Sequence, residues 1–139
     1  MKQQELIESS SIPAKLIRST VQQFGGWESF QESAQDVSTH GIDGGYGAFV
    51  YYSDTVPFFK RNKKEIMEMA NNQAEEFGEG TLEMISGFGC MKSLDLTIDE
   101  LARAIYSGKG DLTTNIFNCL AWFAGEEVCR SYMDLTEEY

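Results

Sequence analysis

From Leu112 onward the apolar side chains Leu112, Ile116, Cys119, Leu120, Phe123, Val128, Tyr132 and Leu135 keep helical spacing. The pattern persists for about six turns, longer than most globular helices, so this segment is expected to be the central packing element of whatever the chain builds. The rest of the chain must then supply partners for a long apolar stripe. Helical partners are available on the N-terminal side. Ser11 is suited to cap a helix in which Pro13 lies near the start and Ile12, Leu16, Ile17, Val21 and Phe24 recur at helical spacing, until Gly25-Gly26 stops the run. Trp27, Phe30, Ala34 and Val37 mark the buried stripe of a second helix, which ends near Gly41.

A third helical region follows a stretch rich in glycine and aromatic residues. Between His40 and Thr55 lie Gly41, Gly44, Gly45 and Gly47, then Phe49, Val50, Tyr51 and Tyr52, which reads as a turn feeding an aromatic core segment. Ala48–Tyr52 fits a short strand or a helix; with no second strand candidate to satisfy its backbone, helix is the better reading. Asp54 or Thr55 is then the expected cap, with Pro57 in the first turn. Asn62 followed by Glu65 imitates a second capping arrangement and predicts a kink. Ile66, Met69, Ala70 and Phe77 form the expected buried side, and Gly78 and Gly80 end the helix or interrupt it.

Shorter elements are expected elsewhere. Glu5–Glu8 is read as at most a brief turn of helix. Thr81–Ile85 resumes helix before Gly87-Phe88-Gly89, and Thr97 with Glu100 opens a helix through Leu101, Ala104 and Ile105 to Gly108. Gly108-Lys109-Gly110-Asp111 is a connection in which Asp111 or Thr113 is the next N-cap. The expected architecture is all-α: one domain over 1–139, a compact bundle of about five to six helices with a glycine and aromatic turn at 40–55.

Charge narrows the partners. The formal charge is −11, and it is lopsided: residues 1–70 carry seven basic and nine acidic side chains, residues 71–139 four and thirteen. Such a field repels nucleic-acid backbones and attracts basic surfaces. The cluster Lys60, Arg61, Lys63 and Lys64 reads as a solvated helix face. No run approaches the length of a membrane span and no apolar leader opens the sequence, so a cytoplasmic location is expected. Cys90, Cys119 and Cys129 are odd in number and lack a C-x-x-C pair, which fits reduced thiols in a core and no zinc site.

Chemistry-bearing constellations are few. His40 is the only histidine; with Asp43 and Asp54 it could furnish an acid–base pair or a binding turn, although a histidine before a glycine-rich turn is more often a helix C-terminal residue. The glycines match neither G-x-G-x-x-G nor a Gly-Lys-Ser/Thr phosphate loop, so no cofactor is expected. Glu126 and Glu127, among Trp122, Phe123 and Val128, fit either a functional partly buried carboxylate or a pair with Arg130 or Arg103; pairing is the better reading, since Glu126 stands four residues before Arg130 in the favourable order. Aromatics, among them Trp27, Tyr46, Phe49, Tyr51, Tyr52, Phe58, Phe59, Trp122 and Phe123, exceed what one small core requires; any surplus exposed beside acids would serve as a binding patch.

At His40-Gly41-Ile42-Asp43 with Gly47–Thr55, and at Asn118–Arg130, the chain resembles a family of small uncharacterised domains associated with phages and plasmids. The resemblance spans roughly residues 27–133 and brings no catalytic or binding residue with it. By class and charge it is similar to anti-restriction and anti-CRISPR inhibitors, which implies a non-enzymatic protein that docks on a basic surface of a host nucleic-acid-handling complex. Glu75, Glu76, Glu79 and Glu83, at near-helical spacing, are the residues expected to form the negative stripe. Two other readings stand beside it: a small enzyme or ligand binder using His40, Asp43 and Asp54, and an oligomeric structural or accessory component of a phage particle.

Overall fold

The computed structural model describes residues 1–40, 52–78, 85 and 111–137. Five helices lie among them: α1 (Gln3–Ser9), α2 (Ala14–Gln23), α3 (Trp27–His40), α4 (Tyr52–Phe77) and α5 (Asp111–Glu137). No strand occurs among the described residues. The all-α expectation is met. The glycine turn Gly41–Gly47 and Ala48–Tyr51, the Thr81–Met84 segment, Gly87–Gly89, Cys90, the Thr97–Glu100 capping box and the helix to Gly108 all lie outside the described residues. Ile85 is helical, and Tyr52 already belongs to α4.

Helix α5 is the axis of the core. It packs against α4 and α3 most extensively and also touches α1 and α2. Leu120, Ala121, Ala124, Val128 and Cys129 are completely buried, with Phe117, Phe123 and Tyr132 nearly so. Against them stand Leu6, Leu16, Ile17, Phe30, Ala34, Val37, Phe58, Phe59, Ile66 and Ala70, all fully buried. Aromatic rings lock two of these contacts. Phe59 stacks on Phe117 at 4.6 Å between ring centroids. Tyr132 receives Trp27 and Phe30 edge-on at 5.6 and 5.4 Å, and its hydroxyl accepts a hydrogen bond from Gln31 Nε2 at 3.0 Å. Most of the aromatic surplus in the described residues is thus core.

The helix termini correct several expectations. α1 is longer than a brief turn, because Leu6 is fully buried beneath it and Glu5 folds back to accept the Lys2 backbone N–H at 3.3 Å. Ser11 does not cap α2: Pro13 occupies the cap position, its carbonyl accepting the N–H groups of Leu16 and Ile17, while Ser10 Oγ takes the Ile12 N–H at 3.1 Å. Gly25 and Gly26 do stop α2. At φ of +97° and +118° both adopt the left-handed region, and their N–H groups close on Gln22 and Val21 carbonyls.

In α4, Asp54 and Thr55 are first-turn residues and not caps, since the helix has begun at Tyr52; Thr55 is buried. The predicted break at Asn62 is present, with φ −115° and ψ 17°. Its chemistry differs from the capping expectation. Asn62 Nδ2 donates backwards to the Phe58 carbonyl at 3.0 Å, and Oδ1 is buried without a hydrogen-bond partner among the described residues. Phe77 is the other correction, for it is 68% exposed. Full burial along α4 ends at Ala70, with Ala74 still partly buried against the core, and among the described residues nothing covers Phe77 before Gly78 at φ +96° terminates the helix.

Candidate functional site

The acidic stripe can be followed as far as the end of α4. Glu75 and Glu76 are exposed on its last turn; Glu79 and Glu83 lie outside the described residues. No base among the described residues pairs with Glu75 or Glu76, and the last turn of α4 contains no basic residue. Carboxylates at this end of a helix oppose the macrodipole, so local helix energetics do not account for them. Phe77 follows directly and is the one large apolar side chain left exposed among the described residues. Sequence periodicity assigned it to the core because it stands seven residues after Ala70 on the same face. The available signal was its company, two carboxylates before it and a glycine after.

The alternative constellation is not assembled by the described residues. His40 closes α3 as its last residue, in keeping with a helix C-terminal position. Asp43 lies outside the described residues. Asp54 is exposed in the first turn of α4, where its carbonyl accepts a hydrogen bond from Gln23 Nε2 at 3.3 Å.

A separate open groove of about 440 Å³ runs between the α1–α2 connection and the C-terminal half of α5. Ser10, Ile12, Glu127, Arg130, Ser131 and Asp134 are among its lining residues. The expected Glu126–Arg130 pair is present at 3.5 Å, and Glu127 holds the same guanidinium more tightly at 2.8 Å. Ser10 Oγ and Ser131 Oγ meet at 2.8 Å. Because Ser10 Oγ already accepts the Ile12 N–H, its own proton is available to Ser131. No histidine lines the groove to activate either hydroxyl. The serines serve as a clasp between α5 and the connection.

Cys129 is buried on α5, and burial pushes its thiol from 9.0 up to about 12; Glu126 adds to the rise and Arg130 opposes it. A protonated thiol of this kind is inert as a nucleophile at neutral pH. Cys119 is half-buried, so the packing role expected for both cysteines fits their positions. Among the described residues no group of three or more His, Cys, Asp or Glu side chains is arranged to hold a metal ion, and no helix is long and apolar enough to cross a membrane.

No curated protein and no solved structure matches the chain. A domain family does match, over residues 10–138, a span wider than the 27–133 of the sequence resemblance and one that takes in the whole of α2, α3, α4 and α5. The chain therefore belongs to DUF7222, a family described as a domain of unknown function.

Proposed function

We propose that the protein is a small acidic, non-enzymatic binding protein that docks on a basic protein surface, in the manner of inhibitors that occupy the nucleic-acid-binding grooves of restriction or CRISPR complexes. One observation carries this reading: at the end of α4 an exposed Phe77 directly follows two exposed carboxylates, Glu75 and Glu76, that no base among the described residues neutralises. Complementary charge speeds the encounter and an aromatic side chain anchors it, which is how interfaces divide the work between charged rims and buried hot spots. The net charge of −11 extends the attraction beyond the contact itself. A mobile-element origin fits this size and charge, and such a partner would be a nucleic-acid-handling defence complex.

The experiment is affinity capture from bacterial lysate at low and high salt, using the native chain, a Glu75→Lys/Glu76→Lys double variant and Phe77→Ala. A specific partner that is retained at low salt, released at high salt and lost in both variants is the expected result. Capture that is indifferent to salt and to all three substitutions removes the reading.

A further inference from the structure

Two carbonyls on the N-terminal side of the α4 break receive side-chain donors from different places. Asn62 Nδ2 reaches the Phe58 carbonyl from within the helix at 3.0 Å. Lys15 Nζ, from the first turn of α2, reaches the Arg61 carbonyl at 2.8 Å. In an unbroken helix Arg61 would present that carbonyl to the N–H of Glu65, four residues on. Glu65 supplies the third side of the arrangement: its Oε1 stands 3.5 Å from Lys15 Nζ, and its carboxylate is largely buried, with Oε2 lacking a hydrogen-bond partner among the described residues.

Lys15 is poorly placed for its own helix, because a cation in the first turn faces the positive end of the macrodipole. Its two contacts, 46 and 50 residues away along the sequence, explain the position better than α2 does. We infer that Lys15 is a positioning residue: it clamps the break at Asn62 by holding the Arg61 carbonyl and the Glu65 carboxylate together, and thereby sets the direction in which the second half of α4 carries Glu75, Glu76 and Phe77. The relevance to docking rests on the proposed function; the clamp itself does not. The lever is long enough to matter. Ten residues beyond Asn62 the helix has advanced about 15 Å, and a change of about 20° at the break moves that point by about 5 Å.

The test measures geometry without any partner. Nitroxides are placed by Gln22→Cys on α2 and Asn72→Cys on α4, both exposed positions, in a chain carrying Cys90→Ser and Cys119→Ser; buried Cys129 stays unlabelled. The distance distribution is read by pulsed electron resonance. Lys15→Met, at a side chain 58% exposed and so tolerant of substitution, is expected to shift or broaden the distribution by about 5 Å, and Lys15→Arg to restore it. Glu65→Gln, which keeps the shape and removes the charge, is expected to shift it less in the same direction. An unchanged distribution in Lys15→Met overturns the inference even if the melting temperature falls, and so does a shift that arginine leaves unrestored. Failure of the lysate capture with these distances moving as expected would remove the docking role and leave the clamp standing.

Discussion

Helices α4 and α5 differ by a single residue in length, 26 against 27, yet they are used in opposite ways. α5 carries buried residues from Phe117 to Tyr132 and is touched by every other described helix. α4 is fully buried at positions from Thr55 to Ala70, only partly at Ala74, breaks at Asn62 and ends in two exposed carboxylates and a phenylalanine. A long helix that remains inside the core is structural along most of its length. One that leaves the core after its midpoint presents side chains that packing does not explain, and those are where function is sought.

The sharpest way to break this comparison is to truncate a phenylalanine on each side of the boundary. Phe59 is fully buried against Phe117, so Phe59→Ala is expected to cost about 3–5 kcal/mol in denaturant unfolding through lost transfer energy and an unfilled cavity. A cost under about 1 kcal/mol would mean that the two long helices are not welded by this stack.

Next in size is a pH effect specific to α5. In the unfolded chain the Cys129 thiol ionises near its ordinary 9.0, whereas the folded chain holds the proton until about 12. The unfolded state therefore binds fewer protons between these values. The contribution of Cys129 is fully present below pH 9 and is lost progressively as pH rises toward 12. Unfolding free energies measured against pH for the native chain and Cys129→Ala should converge over that window. Iodoacetamide at pH 8 should leave Cys129 unmodified until denaturant is added.

The sequence was most informative where one physical cause acted alone. Periodicity survived because the stripes meet the core, in α5 from Phe117 to Tyr132 and in α3 from Phe30 to Val37, and Gly25-Gly26 was legible because only glycine takes φ of +97° and +118° without strain. Asn62 was legible as a break but not in its mechanism: the composition of Asn62–Glu65 suggests a local cap, and the donor at the Arg61 carbonyl comes from Lys15, far away in sequence. Ser11 lost the cap position to Pro13 because the helix starts two residues later than the serine suggests, with the Leu16 and Ile17 N–H groups on the Pro13 carbonyl. Phe77 was misread because periodicity reports which residues share a face and says nothing about how far along the helix that face stays covered. Of the candidate site, Glu75 and Glu76 were legible as exposed acids. Their significance depends on Phe77 being exposed too.

Two smaller effects sharpen the boundary. Gly78→Ala places a Cβ in open space at φ +96°, so its expected cost of about 1 kcal/mol comes from backbone conformation alone, and it should appear as faster amide exchange in the last turn of α4. On α5, Arg130→Ala removes both carboxylate contacts, but the side chain is 48% exposed and its pairs are screened by water. The expected loss is below about 1 kcal/mol and should shrink further in high salt, read as a converging midpoint for native and variant chains.

The smallest expected change in stability belongs to Phe77→Ala, and it is the most informative. With the residue already 68% exposed, little apolar area is removed from contact on truncation, and the expected cost lies within about 0.5 kcal/mol. A structural Phe77 would instead behave like Phe59 on the same helix, with a loss several-fold larger and a lower unfolding midpoint. Stability that is unchanged while partner capture collapses would separate the two halves of α4 by role, the first holding the fold and the second spending an exposed aromatic on recognition. Stability and capture both unchanged would make Phe77 an idle surface residue and leave Glu75 and Glu76 a solvated helix end.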